Sequence, residues 1–347
     1  MTPSAPWPRL LDRLLEGIDL EPEQAADLMR GWLAADFEPV LTGALLAALR
    51  AKGVSGSELA AMAMVLREAS PLPAGRPSMP LVDTCGTGGS GVDSFNISTA
   101  VAFTAAACGA TVAKHGNRSA SGRVGSADVL ESLGLNLSSP AERVLAVLPE
   151  TGVTFLFAPS WHPALVGLAP LRRSLGVRTV FNQLGPLVNP LRPEAQVLGV
   201  ARSDQLEPMA AALAQLGQGR AVVVHGHGGL DEATLSGPNA LVLVEGGELR
   251  RQSLDAATLG LEPAPIDTLL GGDLETNRAI LEAVLKGGGT RPQREVVALN
   301  TALVLWSSGL SPDVASAVQP ALAALASGAP WQRLERLRLA LQQPVAG

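Results

Sequence analysis

Two polar loops carry the residue types on which chemistry can be built. The first, in DTCGTGGSGVDSFNIST, gathers Gly86, Gly88, Gly89 and Gly91 ahead of Ser98 and Thr99. The second, KHGNRSASGR, brings Lys114, His115, Asn117, Arg118, Ser119, Ser121 and Arg123. Glycine lets a backbone turn sharply and approach a ligand, while the first N–H groups of a helix lack intrachain partners and carry the positive end of its dipole. Such a loop leading into a helix suits phosphate. Gly-rich turns also join many α/β elements without binding anything, and Ser or Thr at a helix start are ordinary caps, so the first loop alone leaves both readings open. The two loops together favour a polyanion site.

The elements that must hold these loops can be read around them. An apolar run over residues 81–83 ends in Asp83, an Ala-rich helical segment follows Thr99, and a second short run over 111–113 leads into the Lys114 loop. Further β-prone runs at 154–158, 197–201 and 221–225 alternate with amphipathic helices, which predicts a mostly parallel sheet covered on both faces. Both polar loops then fall at the carboxyl ends of strands, where such sheets gather ligands. Residues 239–245 and 248–251 flank Gly246-Gly247 as a hairpin. Helices close the chain at 277–286, 294–307 and 312–326. The first 70 residues show helical patterns at 9–16, 22–35, 38–51 and 57–68, with Ala26, Met29, Trp32 and Leu33 on one face. The segment PLPAGRPSMP at 71–80 reads as a linker. The expected fold class is therefore α/β, with a small helical domain over 1–75 and a large α/β domain over 80–347.

Composition bounds the function. With 347 residues, 47% of them hydrophobic, the chain can fill a large core, and a net charge of −6 argues against a nucleic-acid or anionic-membrane surface. Cys85 and Cys108 have neither CxxC spacing nor a His cluster beside them, so a disulfide framework and a zinc site are not expected. A reducing cytoplasm fits. No basic region followed by an apolar core opens the chain, and no apolar run is long enough for a membrane span.

The motifs GTGG, FNIST, AKHGNRSAS, GSADVLESLG, FLFAPSWHPAL, APLRRSLGVRTVFNQLGPLVNP and GLDEAT, in this order, resemble the anthranilate phosphoribosyltransferases of tryptophan biosynthesis. The resemblance covers most of the chain. It implies the phosphoribosyltransferase architecture of the nucleoside phosphorylase type, with a helical stretch at about 160–180 packing on the N-terminal helices, and a homodimer formed through the helical domain. It also implies transfer of the phosphoribosyl group of phosphoribosyl pyrophosphate to the amine of anthranilate, with Mg2+ as cofactor.

By the same resemblance, the donor is held by Gly86, Gly89, Ser90, Ser94, Asn96, Ile97, Ser98, Thr99, Lys114, His115, Gly116, Asn117, Arg118, Ser119, Ala120, Ser121, Gly122 and Ser126. Anthranilate falls to Gly86, Asn117 and Arg172, with Arg173 pointing elsewhere on the helix, and the metal to Ser98, Asp231 and Glu232. These types make physical sense: glycine exposes N–H groups, hydroxyls and amides bond phosphate oxygens, and adjacent carboxylates suit a hard cation that keeps waters and phosphate oxygens as ligands. An adjacent Asp-Glu pair is equally a common solvated surface feature. His225 and His227 are read as loop histidines rather than a metal pair, and His162 as structural. No general base stands out, because the arylamine is already neutral; His115 is the one candidate proton acceptor.

The chain departs from the family pattern at Ser90, where GTGGD is usual, and at Gly122. A non-catalytic nucleic-acid-binding relative would want a basic face and loss of acceptor residues, and a pyrimidine nucleoside phosphorylase is disfavoured by HGNR and GLDEAT.

Overall fold

The computed structural model describes residues 7–70, 72–119, 124–167 and 169–342. Four helices open the chain: α1 (Trp7–Leu15), α2 (Pro22–Ala34), α3 (Pro39–Lys52) and α4 (Gly56–Ala69). Pro22 and Pro39 sit in first-turn positions, where a missing N–H costs nothing. The start of α4 is fixed by a capping box in which Ser55 Oγ accepts from the Glu58 N–H and Glu58 accepts from the Ser55 N–H. Glu58 is fully buried, pairs with Lys52 at 2.8 Å and also accepts from the Leu20 N–H, so one carboxylate ties three turns of the bundle together.

Seven strands follow: β1 (Val82–Gly86), β2 (Val112–Gly116), β3 (Val153–Phe157), β4 (Ala195–Gly199), β5 (Arg220–His225), β6 (Asn239–Glu245) and β7 (Glu248–Leu254). They form one sheet in the order β3-β2-β1-β4-β5-β6-β7. The first five run parallel, and β6 and β7 add as an antiparallel hairpin turning at Gly246-Gly247, both with positive φ. Strand residues alternate between two cores. Val222, Val224, Leu241 and Leu243 face one with the helix α5 (Ile97–Ala107) and the C-terminal helices; Ala221, Val223, Val242 and Val244 face the other with the N-terminal helices. β7, ELRRQSL, is exposed along six of its seven residues, and its charges blunt a free sheet edge.

The segment at 160–180 contains two short helices, Pro163–Val166 and Ala169–Leu175. Pro170 lies in the first turn of the second helix instead of breaking one, for the same reason as Pro22. Leu165 and Leu175 pack on the core of the N-terminal helices, and Trp32 stacks at 5.5 Å on Phe181. A last helix, Ala329–Gln342, extends beyond the predicted helices; it buries Leu334, Leu337 and Leu341 at helical spacing. Among the described residues no helix is long and apolar enough to cross a membrane.

Candidate active site at the sheet's switch point

Strand order reverses between β1 and β4: from β1 the chain builds outward through β2 and β3, and from β4 it builds the other way. A crevice opens at the carboxyl end of that pair. The crevice holds Asp231. A Cβ on Gly86 would fall on the Asp231 carboxylate and a Cβ on Gly199 on its main-chain carbonyl, so two paired strand-end glycines make the room it occupies. Asp231 Oδ2 accepts from the Gly88 N–H at 2.7 Å. The glycine loop thus closes over the carboxylate with Gly88, Gly89 and Gly91 all at positive φ.

Glu232 follows into the same crevice, where the Ser98 backbone N–H faces its carboxylate and its Oε2 is buried without a partner. Burial raises the affinity of both carboxyls for protons, and for Glu232 the neighbouring Asp231 charge adds to it; Lys114 pulls Glu232, and Arg178 pulls Asp231, the other way. Asn300, from the helix Arg291–Ser307, accepts from the Ala233 N–H and donates to the Ala233 carbonyl, while Asn239 Oδ1 accepts from the Thr234 N–H. These two amides lock the loop that carries the pair.

Lys114 reaches up from β2, buried, to donate to the Thr84 carbonyl at 2.7 Å and to Ser98 Oγ at 3.3 Å. Asp83 lies beneath it, accepting from the His115 N–H and from Asn189 Nδ2, which also donates to the Ala113 carbonyl. At the start of α5, Ser98 and Thr99 do not cap the helix. Asn96 holds the cap position without capping, donating instead to the Val124 carbonyl, and Asn96 Oδ1 and Thr99 Oγ1 are buried without partners. Ile97 is core, offering only its backbone to the site. Ser94 bridges Leu270 through the main chain. Ser90 Oγ donates to the Val92 carbonyl and accepts from the Val92 N–H, so this hydroxyl shapes its own loop.

The second loop leaves β2 at Gly116, where a Cβ would run into Ser126 and Phe155. Asn117 is exposed, and its Oδ1 accepts from the Arg118 N–H. Arg118 is held by Asp128 and Glu131, which raise its already high pKa, and Asp128 also accepts from the Ser119 and Gly125 N–H groups. Ser126 opens the next short helix. Ala120, Ser121 and Gly122 lie outside the described residues, as does the side chain of Arg172, whose backbone belongs to the helix Ala169–Leu175.

His115 and His162 meet edge to face at 5.2 Å, and Ser70 Oγ sits 3.2 Å from His162 Nδ1. Burial lowers His115 to about 3 and His162 to about 4. Both are neutral near pH 7, and His115 is a weak base. Since the folded pKa of His162 lies below its unfolded value of 6.5, the unfolded chain takes up the proton first as pH falls. The stability linked to this residue is therefore complete above 6.5, declines down to about 4 and is level below that. In thermal melts, His162→Asn should gain on the wild type by up to about 1.4 kcal/mol per pH unit across that window. A pH-independent difference would show that His162 titrates normally.

His225 Nδ1 lies 2.9 Å from the Val200 carbonyl and His227 Nδ1 3.0 Å from Ser236 Oγ, both loop-holding contacts. Among the described residues no three His, Cys, Asp or Glu side chains gather as a metal cluster. The Asp231–Glu232 pair nevertheless suits a hard divalent cation: both residues are half-buried, Glu232 Oε2 is buried and unpartnered, and two protein ligands leave room for water and phosphate oxygens. The polar groups that sequence reasoning left without roles are Asp83, Asn189, Asn300 and Arg178.

Residues 8–70 match the model of the glycosyl transferase family helical bundle domain and residues 78–330 that of the glycosyl transferase family a/b domain. A crystal structure of anthranilate phosphoribosyltransferase from Thermus thermophilus superposes with a TM-score of 0.89 at 44% identity, covering 96% of this chain and 99% of that one. The Saccharomyces cerevisiae enzyme in complex with PRPP and Mg shares the fold, with a TM-score of 0.84 at 24% identity over 96% and 97% of the two chains. The anthranilate phosphoribosyltransferase of Prochlorococcus marinus (strain MIT 9313) is 66% identical over 345 residues, 99% of this chain and 98% of the relative. Identity of that depth over both domains places the chain in the anthranilate phosphoribosyltransferase family.

Proposed function

We propose that the chain joins the amine of anthranilate to the anomeric carbon of 5-phosphoribosyl 1-pyrophosphate, forming the C–N bond as the C–O bond to pyrophosphate breaks. The nitrogen then sheds one proton. The observation that carries this reading is the set of buried, unpartnered oxygens of Asn96, Thr99 and Glu232 around the α5 N-terminus at the switch point. Buried polar atoms are nearly always satisfied, so such a cluster marks where a polar ligand completes the structure. A substrate bearing phosphate and diphosphate, in a chain of this family, matches it.

On this reading Gly86, Gly89 and the first turn of α5 present N–H groups to the diphosphate, and Lys114 sets a buried positive charge beneath it. Ser98, Asp231 and Glu232 would hold Mg2+, which would supply positive charge for the diphosphate leaving group. The acceptor falls to Asn117 and Arg172. Aligning the amine with the anomeric carbon is the larger part of the work, because the amine attacks as a neutral group. No proton transfer is assigned to His115, whose depressed pKa makes it a poor acceptor.

The homodimer and a cytoplasmic setting belong to the same proposal. Exposed Leu15, Ile18 and Val40 on the helical domain support the dimer.

The test follows anthranilate fluorescence with purified protein, phosphoribosyl pyrophosphate and Mg2+, beside an EDTA control and Arg172→Ala. Loss of fluorescence that requires donor, metal and Arg172 is expected. Wild-type protein that leaves anthranilate unchanged at high donor concentration would remove the reading, unless Ser90→Asp restores turnover.

A further inference from the structure

A donor with a diphosphate needs more positive charge than one buried lysine provides. The cations near the two loops differ in how far they are already engaged. Lys114 is bonded to Thr84 and Ser98, and Arg118 is neutralised by Asp128 and Glu131 on the outer side of the second loop. Arg178 differs from both.

Arg178 stands on the segment that leads from the 160–175 helices back to the sheet and reaches to the glycine loop. Its Nη2 donates to the Thr87 carbonyl, and its guanidinium lies against Gly89 so closely that a Cβ there would overlap it; its Nη1 is 3.8 Å from where a Gly88 Cβ would be. Among the described residues it forms no salt bridge. Burial lowers its pKa, the Asp231 charge pulls it back up, and Arg50 from α3 adds a smaller lowering. A half-buried guanidinium with one backbone acceptor keeps several of its five N–H donors free.

We propose that Arg178 is a further donor-binding residue, whose guanidinium takes the diphosphate of phosphoribosyl pyrophosphate over Gly88-Gly89, opposite the carboxylate pair. This rests on the transferase reading and deepens it. The Arg178 fork matches the bidentate geometry of phosphate recognition, and a cation held by Asp231 and Glu232 would add positive charge to the same group. Arg178 comes from the segment that also packs on the N-terminal helices, so one stretch of chain touches both the helical domain and the glycine loop. Gly89 is required for a second reason beyond its positive φ of 80°: any side chain there would displace the guanidinium.

The test compares wild type, Arg178→Gln and Arg178→Lys as full chains in Mg2+. In R178Q the KM for phosphoribosyl pyrophosphate and the Ki of inorganic pyrophosphate should both rise at least about tenfold, the loss of one charged hydrogen-bonding partner, with the anthranilate KM unchanged within about twofold. R178K should recover part of both. Melting temperatures within a few degrees of wild type, on the order of a 1 kcal/mol change or less, show that the fold is intact. Unchanged donor KM and pyrophosphate Ki would overturn the assignment, as would equal rises in both substrates' KM with a lowered melting temperature, which would make Arg178 a brace for the loop. Calorimetric titration of inorganic pyrophosphate separates this from failure of the transferase reading. Weaker binding to R178Q supports the site even in a chain that transfers nothing, and equal binding rejects it.

Discussion

Glu232→Gln is expected to lower kcat/KM for phosphoribosyl transfer by at least about a hundredfold while raising the melting temperature. The activity loss follows from chemistry: the amide keeps the shape of the side chain but removes the charge that a divalent cation needs, and even outer partners of a bound metal cost ten- to about a hundredfold when lost. The stability gain follows from burial. Glu232 sits in the crevice with its proton affinity raised by desolvation and by Asp231, so the charged form is disfavoured in the folded chain. The sign follows from the raised pKa: a carboxyl raised in the folded state contributes stability below its unfolded pKa and loses it as pH rises, so at neutral pH this carboxyl destabilises the folded chain and Gln removes that cost. Added Mg2+ should raise the melting temperature of the wild type and leave that of E232Q almost unmoved, because only a folded state that binds the ion gains from it. A variant both less active and less stable, with the Mg2+ response intact, would make Glu232 a structural carboxylate.

The sequence made the outline legible because periodicity and punctuation agree along most of it. The runs of β1 to β5 alternate with helices, Gly246-Gly247 turns the hairpin, and Pro22 and Pro39 mark helix starts. Less legible was anything that depends on which strand neighbours which. Asp231 matters because β1 and β4 are adjacent and both end in glycine, and no spacing along the chain announces that Gly86 and Gly199 share one space. Asn300 grips the carboxylate loop from 67 positions away and Asn239 from just beyond it, and each reads locally as an ordinary polar residue in a helix or at a strand start. Asn189 sits in the quoted run PLVNP, but its partner Asp83 lies 106 positions away. The helix at Ala329–Gln342 is a different failure, since Leu334, Leu337 and Leu341 repeat at helical spacing and the signal was present. Ser90 is a third kind: its departure from the family pattern was visible, but its use in bonding Val92 was not.

Gly199→Ala is expected to destabilise the protein by about 3 kcal/mol or more and to abolish turnover, whereas Gly86→Ala should cost turnover more than stability. The two glycines are paired across β1 and β4 and both face Asp231, but they meet different parts of it. A methyl on Gly199 runs into the Asp231 main chain, which the Gly226 turn and the grip of Asn300 on Ala233 hold in place. The strand has no freedom to retreat either, because the Gly199 carbonyl accepts from the Thr87 N–H in the glycine loop. Relief therefore requires moving a strand or a loop. A methyl on Gly86 meets the Asp231 carboxylate, which can rotate away at the expense of its bond from the Gly88 N–H. The fold survives that rotation, but the carboxylate leaves the position from which it could face a metal. Gly43→Ala on α3 is the control: an added Cβ finds only Leu175 at 3.6 Å, so helix propensity should dominate and stabilise by up to about 1 kcal/mol. Chemical denaturation and turnover measured on the three variants give the ordering directly. Equal stability losses for the two strand-end glycines would mean that Asp231 is held by its side chain as rigidly as by its backbone, and the crevice would then be a packed joint instead of a site able to receive a ligand.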